Sequence, residues 1–169
     1  NRGDCLSVRG VARDLAAAGL GELKDNALIK NIDGTFDSPV QWEKDFTGDE
    51  EYLCPGVAGR YFRNVTNKES PTWLQQRLKA IGLRPISALV DITNYITYDL
   101  GRPLHVYDAD KINGNLKMRY AKENEHCLTL DEENRECTTD MIVISDNKKL
   151  HGIGGIMGGL DSGCSLDTK

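Results

Sequence analysis

The sequence lacks the features that mark a membrane protein, a disulfide-stabilised domain, or a domain that binds nucleic acid through its overall charge. No apolar run approaches the roughly 20 residues that a helix needs to cross a bilayer. The five cysteines are odd in number, widely spaced and without a C-x-x-C pair, which argues against a disulfide framework and a zinc site. The 21 basic and 26 acidic residues give a net charge of −5, whereas domains that grip a nucleic-acid backbone are usually basic. We therefore expect a cytoplasmic protein with no membrane segment, whose contacts with nucleic acid are local or supplied by a partner.

The remaining composition is that of an ordinary globular protein, with 39% hydrophobic and 28% charged residues. A chain of 169 residues can bury about two-thirds of its unfolded surface, so it needs neither a metal nor a disulfide to fold. The chain begins at Asn1 rather than Met and ends at Lys169 without a tail. We interpret it as a single domain, residues 1–169, excised from a longer protein.

The first helix is predicted over residues 4–18, where apolar side chains recur at helical spacing. Asp4 and Ser7 are both possible N-caps, and Gly19 is placed to end the helix. Residues 20–34 hold neither a helical nor a strand period for long, so we expect a linker or a short irregular element there.

Two further helices are predicted in the middle of the chain. Ser70 is placed as an N-cap with Pro71 at the first helical position, and Gly82 ends this second helix. The third helix is predicted over residues 87–100, with Gly101 taking the left-handed conformation that closes it. Its many β-branched residues leave a strand as an alternative.

Strand signals occur before the second helix and dominate after the third. Alternating apolar residues predict strands around residues 40–42 and over 56–65, 116–121, 126–130 and 141–145. We expect a loop over residues 45–56, with turns at Asn113-Gly114, in residues 131–134 and at Asp146-Asn147. Because helices come early and strands late, the pattern favours an α+β fold in which mixed or antiparallel sheets pack with about three helices.

A glycine-rich segment, residues 151–163, holds six glycines in the run HGIGGIMGGLDSG. It lacks the Lys and Ser/Thr spacing of a phosphate-binding loop. Such glycine density indicates either a tight corner between strands or a backbone that a ligand approaches closely, and both alternatives stay open from the residues alone.

Two polar residues in apolar surroundings are candidates for chemistry. His105 follows Pro103 in a restricted loop, although a lone histidine is more often structural than catalytic. Asn94 offers two donors and an acceptor, which suit either a structural cap or recognition of a polar ligand. Asp91 fits the surface of the third helix, and His126 lies among charged residues and suits a surface position.

Six motifs in order resemble the B3/B4 region of bacterial phenylalanyl-tRNA synthetase β subunits. The residues that carry the resemblance are Asn1-Arg2-x-Asp4-Cys5-Leu6, Ser70-Pro71-x-Trp73-Leu74, Arg84-Pro85-Ile86-Ser87, Val90-Asp91-Ile92-Thr93-Asn94-Tyr95, Gly101-Arg102-Pro103-Leu104-His105 and Gly154-Gly155-Ile156-Met157-Gly158-Gly159. Together they span essentially the whole chain, and the ordered series is far more specific than any single motif.

The resemblance implies a B3/B4-like fold and an editing role in which tyrosine wrongly attached to tRNA(Phe) is hydrolysed. In this family His105 would order or polarise water near the ester carbonyl. Asn94 and the backbone of Gly159 would hold the tyrosyl group and its ester, with Thr93 and Gly158 lining the pocket through adjacency. No residue of this chain is expected to bind a metal ion.

The resemblance also implies partners and cofactors outside this chain. The synthetase is an α2β2 assembly whose α subunit uses ATP and Mg²⁺ to join phenylalanine to tRNA(Phe), and no cofactor is expected in this region itself. The family's acidic residue that reads the tyrosine hydroxyl matches a position beyond Lys169, so residues 1–169 alone are expected to be inactive. The alternative is a non-catalytic scaffold that contacts tRNA or the other subunit.

Overall fold

The computed structural model describes residues 2–24 and 32–169, which form α-helices, β-strands and short 3₁₀ helices. The α-helices are α1 (Val8–Ala17), α2 (Thr72–Ala80) and α3 (Ala88–Leu100). The strands are β1 (Trp42–Lys44), β2 (Leu116–Tyr120), β3 (Glu125–Leu128), β4 (Asn134–Cys137), β5 (Ile142–Ser145), β6 (Leu150–Ile153) and β7 (Met157–Gly158). The predicted α+β class is confirmed. Among the described residues, no helix has the length and apolar character required to span a membrane.

The chain divides into two compact units. The helical unit comprises Asn1–Asp37 and Asn67–Val106, and the strand unit comprises Ser38–Thr66 and Tyr107–Lys169. The three α-helices found in the described residues belong to the helical unit, and the seven strands found there belong to the strand unit. The assignment of residues 1–169 to one domain stays a prediction.

Helix α1 begins where a serine side chain accepts a hydrogen bond from one of the free amides of its first turn. The Ser7 hydroxyl accepts a hydrogen bond from the Gly10 N–H at 2.8 Å, so Ser7 rather than Asp4 is the N-cap. Asp4 lies instead in the 3₁₀ helix Gly3–Cys5 and pairs with Arg2. Gly19 has a φ of +75°, which agrees with its predicted place just beyond the helix. The irregular element predicted over 20–34 falls partly on residues 25–31, outside the described residues.

The start of α2 corrects two predictions. Ser70 does not cap the helix, because its hydroxyl donates to the Asp91 carboxylate at 2.5 Å and Pro71 occupies the N-cap position. Asp91 is fully buried rather than on the surface of α3, and it also accepts from the Ile86 N–H at 2.9 Å. A buried carboxylate needs such donors, and serine supplies one from 21 residues away.

Helices α2 and α3 pack through apolar and aromatic side chains. Leu74 and Leu78 are 2% and 1% exposed, and burying each leucine contributes about 1.5–3 kcal/mol. Trp73 and Tyr95 meet edge to face with ring centroids 5.6 Å apart. Arg77 donates to the Tyr95 hydroxyl at 2.6 Å and lies 5.5 Å from the Trp73 ring, so it ties the two helices together.

The strand unit contains a five-stranded sheet in the order β1-β2-β5-β6-β7 and a separate β3-β4 pair. Strand β1 pairs with β2 in parallel, and the other neighbours are antiparallel. A small apolar core includes Ala121, Cys127, Cys137, Val143 and Leu150. The glycine-rich segment begins on β6, one residue after Leu150 of this core.

The strand predictions are confirmed in the second half of the chain and wrong in one earlier segment. Residues 56–65 form no strand. Asn64 has a φ of +60°, and a Cβ at Gly59 would lie 2.8 Å from the Trp42 indole nitrogen, so this segment is shaped by turns and close packing. The loop predicted over 45–56 contains the 3₁₀ helix Gly48–Leu53. Prediction from sequence missed the short strands β4, β6 and β7.

Candidate functional site

The end of α3 reverses the chain toward the predicted catalytic histidine. Gly101 has a φ of +71° and its N–H donates to the Thr97 carbonyl at 3.0 Å, as predicted for a left-handed helix end. A Cβ at Gly101 would lie 3.0 Å from the Ser7 hydroxyl oxygen, so the close approach of α1 adds a second reason for glycine. The reversal leads directly into the segment that carries His105.

Asn94 is the polar side chain of α3 best placed to bind a ligand. The residue is half-buried, and its side-chain carboxamide makes no hydrogen bond within residues 2–24 and 32–169. The neighbouring Thr93 differs, since its hydroxyl donates to the Val90 carbonyl of the same helix at 2.7 Å. Unused donors and an acceptor on a half-buried amide favour Asn94 over Thr93 for polar recognition.

His105 combines solvent access with a neutral ring. The residue lies at the surface, yet surrounding protein atoms desolvate the imidazole and lower the pKa of His105 below its ordinary value of 6.5. At neutral pH the ring is therefore uncharged, with one nitrogen able to accept a hydrogen bond and the other able to donate. This is the protonation state that a group needs to orient or deprotonate water.

Thr97 is a residue of this region that the sequence analysis overlooked. Its hydroxyl donates to the Thr93 carbonyl at 2.8 Å and accepts from the Leu104 N–H at 3.2 Å. It therefore joins the last turns of α3 to the residue immediately before His105. The only signal in the sequence was a threonine one turn before the glycine that ends the helix.

The glycine-rich segment packs tightly against the strand unit's own backbone. The Gly159 N–H donates to the His151 carbonyl at 2.7 Å, and a Cβ at Gly159 would lie 2.8 Å from the same carbonyl oxygen. Similarly, a Cβ at Gly152 would lie 2.9 Å from the Met157 carbonyl oxygen. The tight corner, one of the two alternatives for this segment, thus has a direct physical cause.

The other side of the same segment is apolar and accessible. Thr129 bridges to Gly159, with the Leu130 N–H donating to Gly158 and the Leu160 N–H donating to Leu128. Because side chains alternate along such a pairing, the fully buried Thr129 lies on one face, while the leucines lie on the other with Gly158. The leucines at 128, 130 and 160 are 37%, 47% and 38% exposed. Gly158 therefore leaves a gap in an exposed apolar surface.

A buried polar pair anchors the strand that carries this corner. The side chain of His151 is fully buried, and its Nε2 lies 2.8 Å from Oδ2 of Asp146, although the alignment falls short of good hydrogen-bond geometry. Burial alone would raise the pKa of Asp146, but His151 and the N–H groups of Asn113, Lys148 and Lys149 hold that pKa well below its usual range. His151 thus has a structural role: its contact with Asp146 holds β6, the strand on which the glycine-rich segment begins.

The structure places the five predicted site residues in both units. Thr93, Asn94 and His105 lie in the helical unit, on α3 and the segment that follows it. Gly158 and Gly159 lie in the strand unit, at the end of β7. The roles assigned to them stay predictions.

One cluster among the described residues brings possible metal ligands together, and its chemistry does not suit a metal ion. It consists of Asp4, Cys5 and Asp14. Arg2 donates to both carboxylates, and this pairing lowers the pKa of Asp4 to about 2. Desolvation and Asp14 raise the pKa of Cys5, so its thiol is protonated at neutral pH, whereas metal ions bind the thiolate.

Comparison with known proteins gives a consistent match. The model of the B3/4 domain family matches residues 53–169. The chain is 52% identical to the phenylalanine–tRNA ligase β subunit of Brucella abortus (strain 2308) over 168 residues, which are 99% of this chain and 21% of that protein. It is 52% identical to the β subunit of Mesorhizobium japonicum over 168 residues, covering 99% and 20%, and 51% identical to that of Ruegeria pomeroyi over 170 residues, covering 99% and 21%. The chain spans about a fifth of the length of these relatives.

Proposed function

Because the chain belongs to the B3/4 domain family and matches phenylalanine–tRNA ligase β subunits over 99% of its length, we propose that it is an editing region that hydrolyses tyrosine misattached to tRNA(Phe). The observation that carries this proposal is the accessible imidazole of His105, which desolvation keeps neutral. A neutral imidazole can accept a hydrogen bond from the water that attacks an ester.

Hydrolysis of the tyrosyl ester is needed because phenylalanine and tyrosine are hard to distinguish by binding alone. An apolar pocket that accepts phenylalanine discriminates only about 10²-fold against an isostere that adds one hydroxyl. A second site that requires the hydroxyl can reject phenylalanine far more strongly, because its own polar groups would otherwise be left unpaired. Hydrolysis at that second site removes the tyrosyl product and restores accuracy.

The candidate residues have separate roles in binding the tyrosyl ester and in hydrolysing it. In this proposal His105 holds the attacking water, Asn94 binds the tyrosyl moiety through its amide, and Gly159 bounds the ester with its backbone. The Gly159 N–H is already used by His151, so its contribution comes from its carbonyl oxygen or from close approach at Cα. Gly158, beside the exposed leucines, offers an apolar wall. Thr93 contributes shape, since its hydroxyl is occupied.

The proposal extends to partners and location. The relatives are named as β subunits of a tRNA ligase, so we propose a cytoplasmic enzyme with an α subunit and tRNA(Phe) as partners. Synthesis of the aminoacyl ester, with its ATP and Mg²⁺, is assigned to the α subunit. The net charge of −5 fits a region in which the tRNA backbone is held mainly elsewhere.

The test is deacylation of pre-charged Tyr-tRNA(Phe) by the complete ligase carrying His105→Ala or Asn94→Ala. We expect hydrolysis to slow on the order of 10²-fold for His105→Ala, the usual effect of losing a group that transfers or orients a proton, and less for Asn94→Ala. Phenylalanylation should not change. His126→Ala, which removes an exposed histidine on β3, is the matched control and should hydrolyse normally. Wild-type rates in both site variants would refute the assignment.

A non-catalytic scaffold is the second candidate, and an exposed apolar stripe on α1 favours it. Val8, Val11 and Leu15 recur along one side of the helix and are 65%, 49% and 48% exposed. Such a surface suits contact with protein rather than with tRNA phosphates. If the complete wild-type ligase does not hydrolyse Tyr-tRNA(Phe), the scaffold function is the better account.

A further inference from the structure

One hydroxyl connects α3 to the segment that carries His105. Thr97 Oγ1 donates its single proton to the Thr93 carbonyl at 2.8 Å, and a lone pair accepts from the Leu104 N–H at 3.2 Å. The Arg102 carbonyl oxygen lies 3.4 Å away as a weaker alternative acceptor. The same oxygen thus contacts both the helix and the loop after it.

Because of its position in the chain, this contact can restrain the backbone next to His105. Residues 102–104 are exposed, and Pro103 has no N–H, which leaves the Leu104 amide as the last donor before His105. Gly101 sets the direction in which the chain leaves α3, but it does not hold the three residues that follow. A bond to Leu104 restricts the peptide unit to which His105 is attached.

The other end of the contact lies on the turn that carries Asn94. Thr93, whose carbonyl receives the Thr97 proton, directly precedes Asn94 in α3. Thr97 therefore links the backbone next to Asn94 with the backbone next to His105. Both residues belong to the helical unit, so the link lies within one unit.

We propose that Thr97 is a positioning residue that holds the His105 segment against α3, and this role rests on the editing function proposed above. Thr97 does not touch the substrate. It acts by limiting the backbone freedom of His105, so that the imidazole spends more of its time where it can orient water. Its loss lowers the rate of hydrolysis more than the affinity for the aminoacyl-tRNA.

Two substitutions separate the hydroxyl from the shape of the side chain. Thr97→Val keeps the β-branch and removes both hydrogen bonds, while Thr97→Ser keeps the hydroxyl. In the complete ligase we expect kcat for Tyr-tRNA(Phe) hydrolysis to fall about three- to tenfold in Thr97→Val, the effect of one hydrogen bond, with KM changed less than about twofold. Thr97→Ser should restore kcat to within about twofold of wild type.

Ser70→Ala is the control for a purely structural effect. It removes another hydroxyl from the helical unit, the one bonded to Asp91, without touching residues 101–105. Both Ser70→Ala and Thr97→Val should lower the unfolding midpoint, but only Thr97→Val should lower kcat. The proposal is overturned if Thr97→Val hydrolyses like wild type, if Thr97→Ser is equally defective, or if Ser70→Ala loses kcat to the same extent.

Amide hydrogen exchange distinguishes failure of this inference from failure of the proposed function. If the wild-type ligase does not hydrolyse Tyr-tRNA(Phe), the editing proposal fails, and exchange at Leu104 then decides whether Thr97 holds the segment. We expect the Leu104 amide to exchange about three- to tenfold faster in Thr97→Val than in wild type or Thr97→Ser. Equal exchange in all three proteins would overturn the positioning role.

Discussion

The helical unit and the strand unit present their candidate residues in different ways. In the helical unit the candidates are polar side chains, Asn94 and His105, carried by a helix and the segment after it. In the strand unit they are glycines whose backbone is pressed against a neighbouring strand. Removing the side chain of Asn94 or His105 should therefore impair function with little effect on folding, whereas adding a side chain at Gly159 should impair folding.

Different interactions also stabilise the two units. Side-chain hydrogen bonds between distant residues order the helical unit, as in Ser70 with Asp91 and Asn67 with Ser87. Backbone pairing and a small core order the strand unit, with the buried pair of His151 and Asp146 supporting β6. Three substitutions test this contrast.

The largest effect is expected for Gly159→Ala in the strand unit. The added Cβ would lie 2.8 Å from both the carbonyl carbon and the carbonyl oxygen of His151, and these are backbone atoms of β6 that cannot move aside as a flexible side chain could. We expect the free energy of unfolding to fall by about 3 kcal/mol, the upper part of the usual range for overpacking. Urea denaturation of the chain measures it.

Gly56→Ala is the matched control for this substitution. It lies in the same unit, and a Cβ there meets nothing within 4 Å. Its free energy of unfolding should stay within about 0.5 kcal/mol of wild type. If both variants lose the same stability, close packing is not the reason for glycine at position 159.

A smaller effect is expected for Ser70→Ala in the helical unit. Asp91 is fully buried, and losing the serine donor leaves part of its carboxylate without a partner. The expected cost is about 1–2 kcal/mol in the free energy of unfolding. Thr72→Ala, an exposed change on the first turn of α2, should cost less, and equal losses would argue against a special role for the pair.

The last substitution, Asp146→Asn, is expected to change the acid sensitivity of folding, and it should also lower the free energy of unfolding at neutral pH because the stabilising ionised carboxylate is lost. The native pKa of Asp146 lies below its ordinary value of 3.8. The stability that its ionised form contributes is present above that ordinary pKa and is lost as the pH falls toward the native one. Wild-type stability should therefore decline below about pH 4, and the decline should be shallower in Asp146→Asn.

Urea denaturation between pH 7 and pH 3 measures this slope. Asp140→Asn is a suitable control because Asp140 is an exposed aspartate in the same unit, hydrogen-bonded to nearby Thr138 and to its own backbone. It should leave the decline nearly unchanged. Identical slopes in wild type and Asp146→Asn would show that the buried pair does not produce the acid sensitivity.

The predictability of the elements follows how local their causes are. Helix α3 and its end at Gly101 were predictable because apolar spacing and a left-handed glycine act within a few residues. Strand β7 was not, because a strand of two residues, one of them a glycine, carries no period and depends on β6 for pairing. The false strand over 56–65 shows the converse, since its apolar alternation finds no partner strand.

The candidate site shows the same division. The motifs pointed to Asn94, His105 and the glycines, but no pattern indicated that the Asn94 amide would have no side-chain partner among the described residues. Nor did any pattern single out Thr97, whose importance depends on where the chain runs after Gly101. Hydrogen-bond partners across a turn follow from backbone conformation, which residue types restrict only weakly.

The amino-acid sequence by itself determined the α+β class, the end of α3 at Gly101 and the family to which the chain belongs, because these depend on short-range preferences and on ordered motifs. Only the tertiary structure decided that Ser70 serves Asp91 rather than a helix end, and that Asn67 accepts from the Leu89 N–H at the start of α3. Each of these contacts joins residues about 20 positions apart. A buried polar group takes whichever partner folding brings to it, and that choice is not encoded next to it in the chain.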